Sequence, residues 1–222
     1  MILRLAAGCA LAVAALAQSG AGNSAPQRME IMVDRLTGNS WRAIDPALVL
    51  EQADRVRFRF RTNFDGYLYV INQSTSGKSE SLFPREETGQ NNRIAAGKEY
   101  QVPATDTVFR IAGPAGHEIV YWLVTPARLT DGSPQYPSLR VPAPHLLPRC
   151  DDTILRARGD CIDHSAGPKL VPRDVELPKQ LADAAEQSRR DLLFLQQKDT
   201  AVISSPAPLT GPVIYEFHLA HR

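Results

Sequence analysis

From Arg55 the chain reads Val56-Arg57-Phe58-Arg59-Phe60-Arg61-Thr62, apolar and basic residues in strict alternation. A period of two belongs to an extended strand with one buried face, because successive side chains leave opposite sides of the pleat. Val56, Phe58 and Phe60 are thereby assigned to a core face and the arginines to water. An anion or nucleic-acid track is the competing reading of those arginines. On a single strand of a nearly neutral chain, with 25 basic and 24 acidic residues, a solvated face is the better reading.

The neighbouring sequence continues in strands. Asn63-Phe64-Asp65-Gly66 has the composition of a tight reversal, and Tyr67 to Asn72 is β-branched and aromatic, which predicts an antiparallel hairpin with the 55–62 strand. A second reversal at Ser74 to Lys78 leads to Ser79–Phe83, ended by Pro84, so a three-stranded meander is expected. Arg85 to Arg93 reads as a polar loop, and Ile94 to Pro103 as a turn with a short edge strand. Thr107–Ile111 and His117–Thr125 follow, separated by Gly113-Pro114-Ala115-Gly116. The second of these is almost continuously apolar. That fits a central strand buried on both sides, although periodicity alone does not separate it from a buried helix. Met29–Arg35 and Val213–Leu219 add strands from the two ends of the chain.

Two segments depart from this pattern. Residues 126–172 are proline-rich without a sustained period and read as an insertion or long loop. A helix is predicted over about 174–190, with Leu177, Leu181, Ala184, Ala185 and Ser188 on one face; Leu192 to Leu195 either continues it or becomes a strand. Short strands punctuated by Gly and Pro predict a mainly β fold: an immunoglobulin-like antiparallel β-sandwich with a disulfide-braced insertion and one helix.

The N-terminus has the three-part layout of a secretory signal: Arg4, an apolar stretch from Leu5 to Leu16, and Ala15-Leu16-Ala17 before Gln18. The expected organisation is a signal over 1–17, a flexible linker over 18–27 and one domain over 28–222. The apolar stretch is short of the ~20 residues that cross a bilayer, so no stable membrane insertion is expected after cleavage. A lipoprotein signal at Cys9 is disfavoured because too little apolar chain precedes it. Cleavage leaves 222 − 17 = 205 residues, in a periplasmic or secreted protein. In that oxidising compartment Cys150 and Cys161 are expected to form a disulfide; Cys-x10-Cys lacks metal-ligand spacing.

The stretch Val56-Arg57-Phe58, Asn63-Phe64-Asp65-Gly66-Tyr67-Leu68-Tyr69-Val70-Ile71-Asn72, Leu82-Phe83-Pro84, Asn92, Ala96-Gly97, Val102-Pro103 and Gly113-Pro114-Ala115-Gly116 before a Val-Tyr-Trp strand resembles the bacterial domain of unknown function numbered 4384, over residues of about 55–125. Members occur alone after a signal peptide or attached to caspase-like peptidases, protein kinases and other envelope modules. The resemblance implies an accessory binding or interaction role, and no chemistry.

A search for chemistry agrees with that. The Gly-x-Ser-x-Gly elbow and the glycine-rich phosphate cradles are absent, so no cofactor is expected. His218 and His221 stand three apart, which on a strand turns them to opposite faces; a frayed C-terminal strand is the plainer reading. Asp151, Asp152, Asp160, Asp163 and His164 surround the cysteine pair without an EF-hand spacing, so no metal is expected. Arg158-Gly159-Asp160 is an adhesion-like tripeptide in which Gly159 also serves a tight turn. Tyr67, Tyr69, Tyr121 and Trp122 form a binding platform if exposed and core if buried, and core is favoured. The expectation is a non-catalytic accessory domain that binds an envelope protein, peptide or surface polymer. The alternatives are a carbohydrate-binding module, or an envelope hydrolase if His145 or His164 is buried beside a carboxylate and a serine.

Overall fold

The computed structural model describes residues 25–85, 91–104, 107–129, 147–175, 177 and 179–222. Residues 1–24, which hold the expected signal and most of the expected linker, and His145 lie outside these. In chain order the elements are β1 (Gln27–Thr37), β2 (Ser40–Ile44), β3 (Arg55–Thr62), β4 (Gly66–Gln73), β5 (Ser79–Phe83), β6 (Arg93–Ile94), β7 (Glu99–Val102), β8 (Phe109–Arg110), β9 (Gly116–Thr125), α1 (Asp152–Arg158), β10 (Gly167–Leu170), α2 (Lys179–Asp191), β11 (Leu193–Gln197), β12 (Thr200–Ser205) and β13 (Val213–His221).

The strands form two antiparallel sheets packed as a sandwich. The first runs β11-β12-β1-β3-β7, with β2 beside β1 and β8 beside β3; the second runs β10-β13-β9-β4-β5, with β6 beside β4. The alternation in β3 fixes the inner face: Val56, Phe58 and Phe60 are fully buried. Across the gap stand Val120, Trp122 and Val124 of β9, flanked by Tyr215 and Phe217 of β13. Trp122 receives Phe58 and Phe60 edge-on at 5.5 and 5.6 Å and stacks on Tyr215 at 6.2 Å. These are the offset and edge-to-face arrangements that aromatic quadrupoles favour.

The almost unbroken apolar run of β9 has a simple cause. Its second face, with Tyr121 and Leu123, is covered by Leu181, Ala184 and Ala185 of α2 together with Tyr69 and Ile214. The helix face predicted from spacing is therefore the packed one. The helix begins at Lys179 and not near Asp174, because Leu177 precedes a proline and is steered away from the helical region. Ser188, fully buried, donates to Ala184 O at 2.7 Å and accepts from Ile214 N at 3.0 Å, which ties the helix to the start of β13.

Several expectations are corrected. β3 and β4 are not a hairpin: β3 pairs with β1, β7 and β8, whereas β4 pairs with β5, β6 and β9, so residues 63–65 carry the chain from one sheet to the other. Gly66 serves close approach at this crossing, since a Cβ there would lie 3.0 Å from Thr125 O. Only β4–β5 remains of the meander. β13 is not frayed: it pairs with β9 from Val213 through His221, and His221 is fully buried. Leu193 onward is strand, paired with β12 through the Lys198-Asp199 reversal. The missed strand β2 is signalled by Gly38-Asn39, a two-residue hairpin loop with Gly38 at φ 61.

The described part of the 126–172 region is more ordered than the loop expected. It holds a second helix, α1, and β10, which pairs with β13. Residues 130–146 lie outside the described ones. Cys150 and Cys161 are bonded across α1, whose ends are capped by Asp151, accepting from Thr153 N and Ile154 N, and by Gly159 at φ 76. Cys161 and Ile162 pack on Ala47, Val49 and Ala220, and Val49 N donates to Cys161 O at 2.9 Å. Replacing both cysteines by serine is expected to lower stability by about 2–3 kcal/mol in chemical denaturation, through loss of the constraint on the unfolded chain.

Candidate functional site

The four aromatic candidates do not form a platform. Trp122 and Tyr121 are 0% and 1% exposed, on the inner and outer faces of β9 respectively. Tyr69 is also buried, its hydroxyl accepting from Leu129 N at 3.2 Å; Tyr67 alone is half-buried, against the α2 layer. Alternation on β4 and β9 gave these residues faces, but only the position of α2 made the outer face a second core. The half-buried indole that sequence reading passed over is Trp41 of β2, with the Arg57 guanidinium 4.4 Å above its ring. This is a cation–π contact on the outer face of the first sheet.

That outer face carries the β3 arginines, and they are not a free cationic track. Asp34 of β1, 1% exposed, accepts from Arg57 Nε at 3.1 Å and from Arg59 Nε at 2.6 Å and Nη2 at 2.9 Å. Arg61 pairs with Glu30, and Arg59 also reaches Glu99 at 3.4 Å. The hydrogen bonds that Arg59 donates to Asp34 raise its pKa above the ordinary value. The register Asp34↔Arg57 and Glu30↔Arg61 makes the acids of β1 the cross-strand complement of β3. Asp34→Ala leaves two guanidinium groups without their buried acceptor and is expected to cost about 3 kcal/mol in urea denaturation.

Around the disulfide, Arg158 ends α1 and Asp160 follows its glycine cap, both exposed. The tripeptide is thus a helix terminus and not an extended loop tip. Among the acids proposed around it, Asp151 caps α1 and Asp163 is bound within its own turn. Among the described residues no group of three or more His, Cys, Asp or Glu is placed to hold a metal ion. His218 and His221 lie on opposite faces of β13, beside Glu216 at 2.7 Å and Glu118 at 3.5 Å respectively. Glu118 is buried and also accepts from Asn72 Nδ2 at 3.0 Å and Thr75 N at 3.3 Å.

The hydrolase alternative named His164, which is exposed and bonded to Asp151 at 3.0 Å. A histidine, an acid and a serine do meet elsewhere, at His117, Asp163 and Ser165. Their connectivity is not that of a nucleophile relay, in which the acid holds one imidazole nitrogen and the serine gives its proton to the other. Here Asp163 Oδ2 and Ser165 Oγ lie 3.3 and 3.2 Å from the same atom, His117 Nε2, and Ser165 Oγ donates to Asp163 Oδ1 at 2.6 Å. Acid and serine share one imidazole nitrogen and bond each other, and the trio ties the disulfide loop to β9.

Burial pushes the Asp163 carboxyl up, but the Ser165 side chain and N–H, the Arg149 N–H and the nearby His117 outweigh it and hold the pKa below the usual value. A carboxyl whose pKa is lowered by folding contributes stability that is fully present above its unfolded pKa, about 3.9, and disappears as pH falls through the folded value. Asp163→Asn is therefore expected to destabilise at neutral pH and to flatten the acid limb of stability below about pH 4, read by denaturation at a series of pH values.

Among the described strands, the large exposed apolar side chains gather at one place. β11, at the end of the first sheet, turns Leu193 and Leu195 outward at 60% and 54% exposure, while Phe194 points inward against Tyr215. Sequence reading left this segment undecided between helix and strand, so its edge position went unseen.

Residues 49–128 match the model of the family described as Domain of unknown function (DUF4384). No curated protein and no solved structure matches the chain.

Proposed function

We propose that this protein is an exported, non-catalytic accessory module that binds another protein or peptide of the cell envelope, in the periplasm or outside the cell. The observation that carries the reading is the β11 edge, where two leucines stand in water on a strand with one hydrogen-bonding side unused by the sheet. An edge of this kind takes an extended segment by main-chain hydrogen bonds, with alternate side chains giving selectivity. The match to a family without assigned chemistry and the compensated state of the buried acids support the same reading. A segment that binds here would alternate apolar side chains toward Leu193 and Leu195.

The test is affinity capture of the tagged protein from its own cell envelope, with mass spectrometry of what co-purifies and N-terminal sequencing of the recovered chain. A reproducible protein partner lost with Leu193→Lys and Leu195→Lys, together with an N-terminus near Gln18, is the expected result. A partner lost only when the loop between Cys150 and Cys161 is removed moves the contact to that loop. Recovery of the uncleaved chain in the cytoplasm overturns the export part of the proposal.

A further inference from the structure

The ends of the two sheets are not protected alike. Besides β11, the strands with an unpaired side are β7, β10 and β5 at the ends of the sheets and β2, β6 and β8, which each pair with one strand and carry Arg42, Arg93 and Arg110. β7 carries Glu99 and runs into Pro103, β10 contains Pro168 and Lys169, and β5 carries Glu80 and runs into Pro84. Charge and proline are the usual devices that stop one sheet edge from pairing with another. β11, Leu193-Phe194-Leu195-Gln196-Gln197, has neither.

The sequence of β11 is also self-complementary in one register. A two-fold axis perpendicular to an antiparallel pair must pass through a residue that faces its own copy, since side chains of opposed residues lie on the same face. Centring the axis on Leu195 would set Leu193 against Gln197. Centring it on Phe194 sets Leu193 of each copy against Leu195 of the other, on the outer face, and Phe194 against Phe194 on the inner face. The second arrangement removes from water the four leucines that the two isolated copies leave most exposed along this edge.

We propose that β11 is a homodimer interface: two copies pair antiparallel through β11, with the two-fold axis at Phe194, so that the first sheet continues from one molecule into the other. The interface is isologous and closes at two copies, because the same edge is consumed on both sides. It uses the edge that the proposed function gives to a partner segment, so dimerisation and capture compete for one strand, yet either can fail while the other stands.

Sedimentation equilibrium of the purified protein, as processed by the cell, is the test. A monomer–dimer equilibrium with a dissociation constant on the order of 1–100 micromolar is expected for one short strand pair. Leu193→Lys and Leu195→Lys, both at exposed positions, are each expected to weaken it at least about tenfold, with far-ultraviolet circular dichroism unchanged. The register is read separately: under mild oxidation a mixture of Leu193→Cys and Leu195→Cys proteins should cross-link to each other faster than either does to itself. A protein that stays monomeric at about 100 micromolar, a dimer indifferent to both lysine variants, or self-linking of either cysteine variant faster than the mixture overturns the proposal. A monomer that still captures an envelope partner through β11 would overturn the dimer and leave the proposed function intact.

Discussion

Trp122 sits where both sheets must agree. Its ring edges and faces are taken by Phe58 and Phe60 from β3 and by Tyr215 from β13, so it can be buried only if β3 and β9 lie in opposite sheets with their apolar faces toward each other. That requirement decides the connection after β3. A hairpin to β4 would leave Phe58 and Phe60 in the same sheet as Leu68 and Val70, and the cleft above Trp122 without a partner. The chain instead crosses at residues 63–65, and Gly66 allows the backbone to come within a Cβ's reach of Thr125 O. A crossing of this kind satisfies aromatic burial at the cost of the local pairing that the turn sequence invites.

The acids follow a common logic around this core. Asp34, Glu118, Asp163 and Glu216 are all buried and partnered, the first three by groups drawn from another element. Asp34 joins β1 to β3, Glu118 joins β9 to β4, Asp163 joins the disulfide loop to β9 through His117, and Glu216 holds His218 along β13. A buried carboxylate is tolerated only when its lone pairs are satisfied, and satisfying them across elements fixes how those elements sit. The same placement leaves these groups committed to structure. The contact at His117 illustrates it: three residue types associated with hydrolysis meet, and acid and serine share one imidazole nitrogen across the disulfide loop and β9.

The family match covers residues 49–128, and therefore β3 through β9. These strands do not complete either sheet. β3 needs β1 on its free side, and β9 needs β13. β1 comes before the matched stretch and β13 at the far end of the chain, while β11 and β12 extend the first sheet beyond β1. The N- and C-terminal segments thus supply the inner neighbours of the matched strands, and the unguarded edge arises in a part of the chain that the family model does not reach.

The sequence by itself determined the buried face of β3 and the packed face of α2, and gave β9 the pattern of a strand buried on both sides. Alternation in Val56–Thr62, the double-sided run of β9, the spacing of Leu181, Ala184, Ala185 and Ser188, and the Cys150–Cys161 pair were all legible, because each is a local pattern enforced by backbone geometry or by covalent chemistry. What only the tertiary structure decided is which strands neighbour one another. The 63–66 turn has the composition of a hairpin and is a crossing; Arg57 and Arg59 read as solvated and share Asp34; Leu193 to Leu195 is compatible with helix or strand and proves to be an edge. Each of these depends on residues far apart in the chain, and the free energy that selects among the alternatives comes from burial and pairing that no short window of sequence contains.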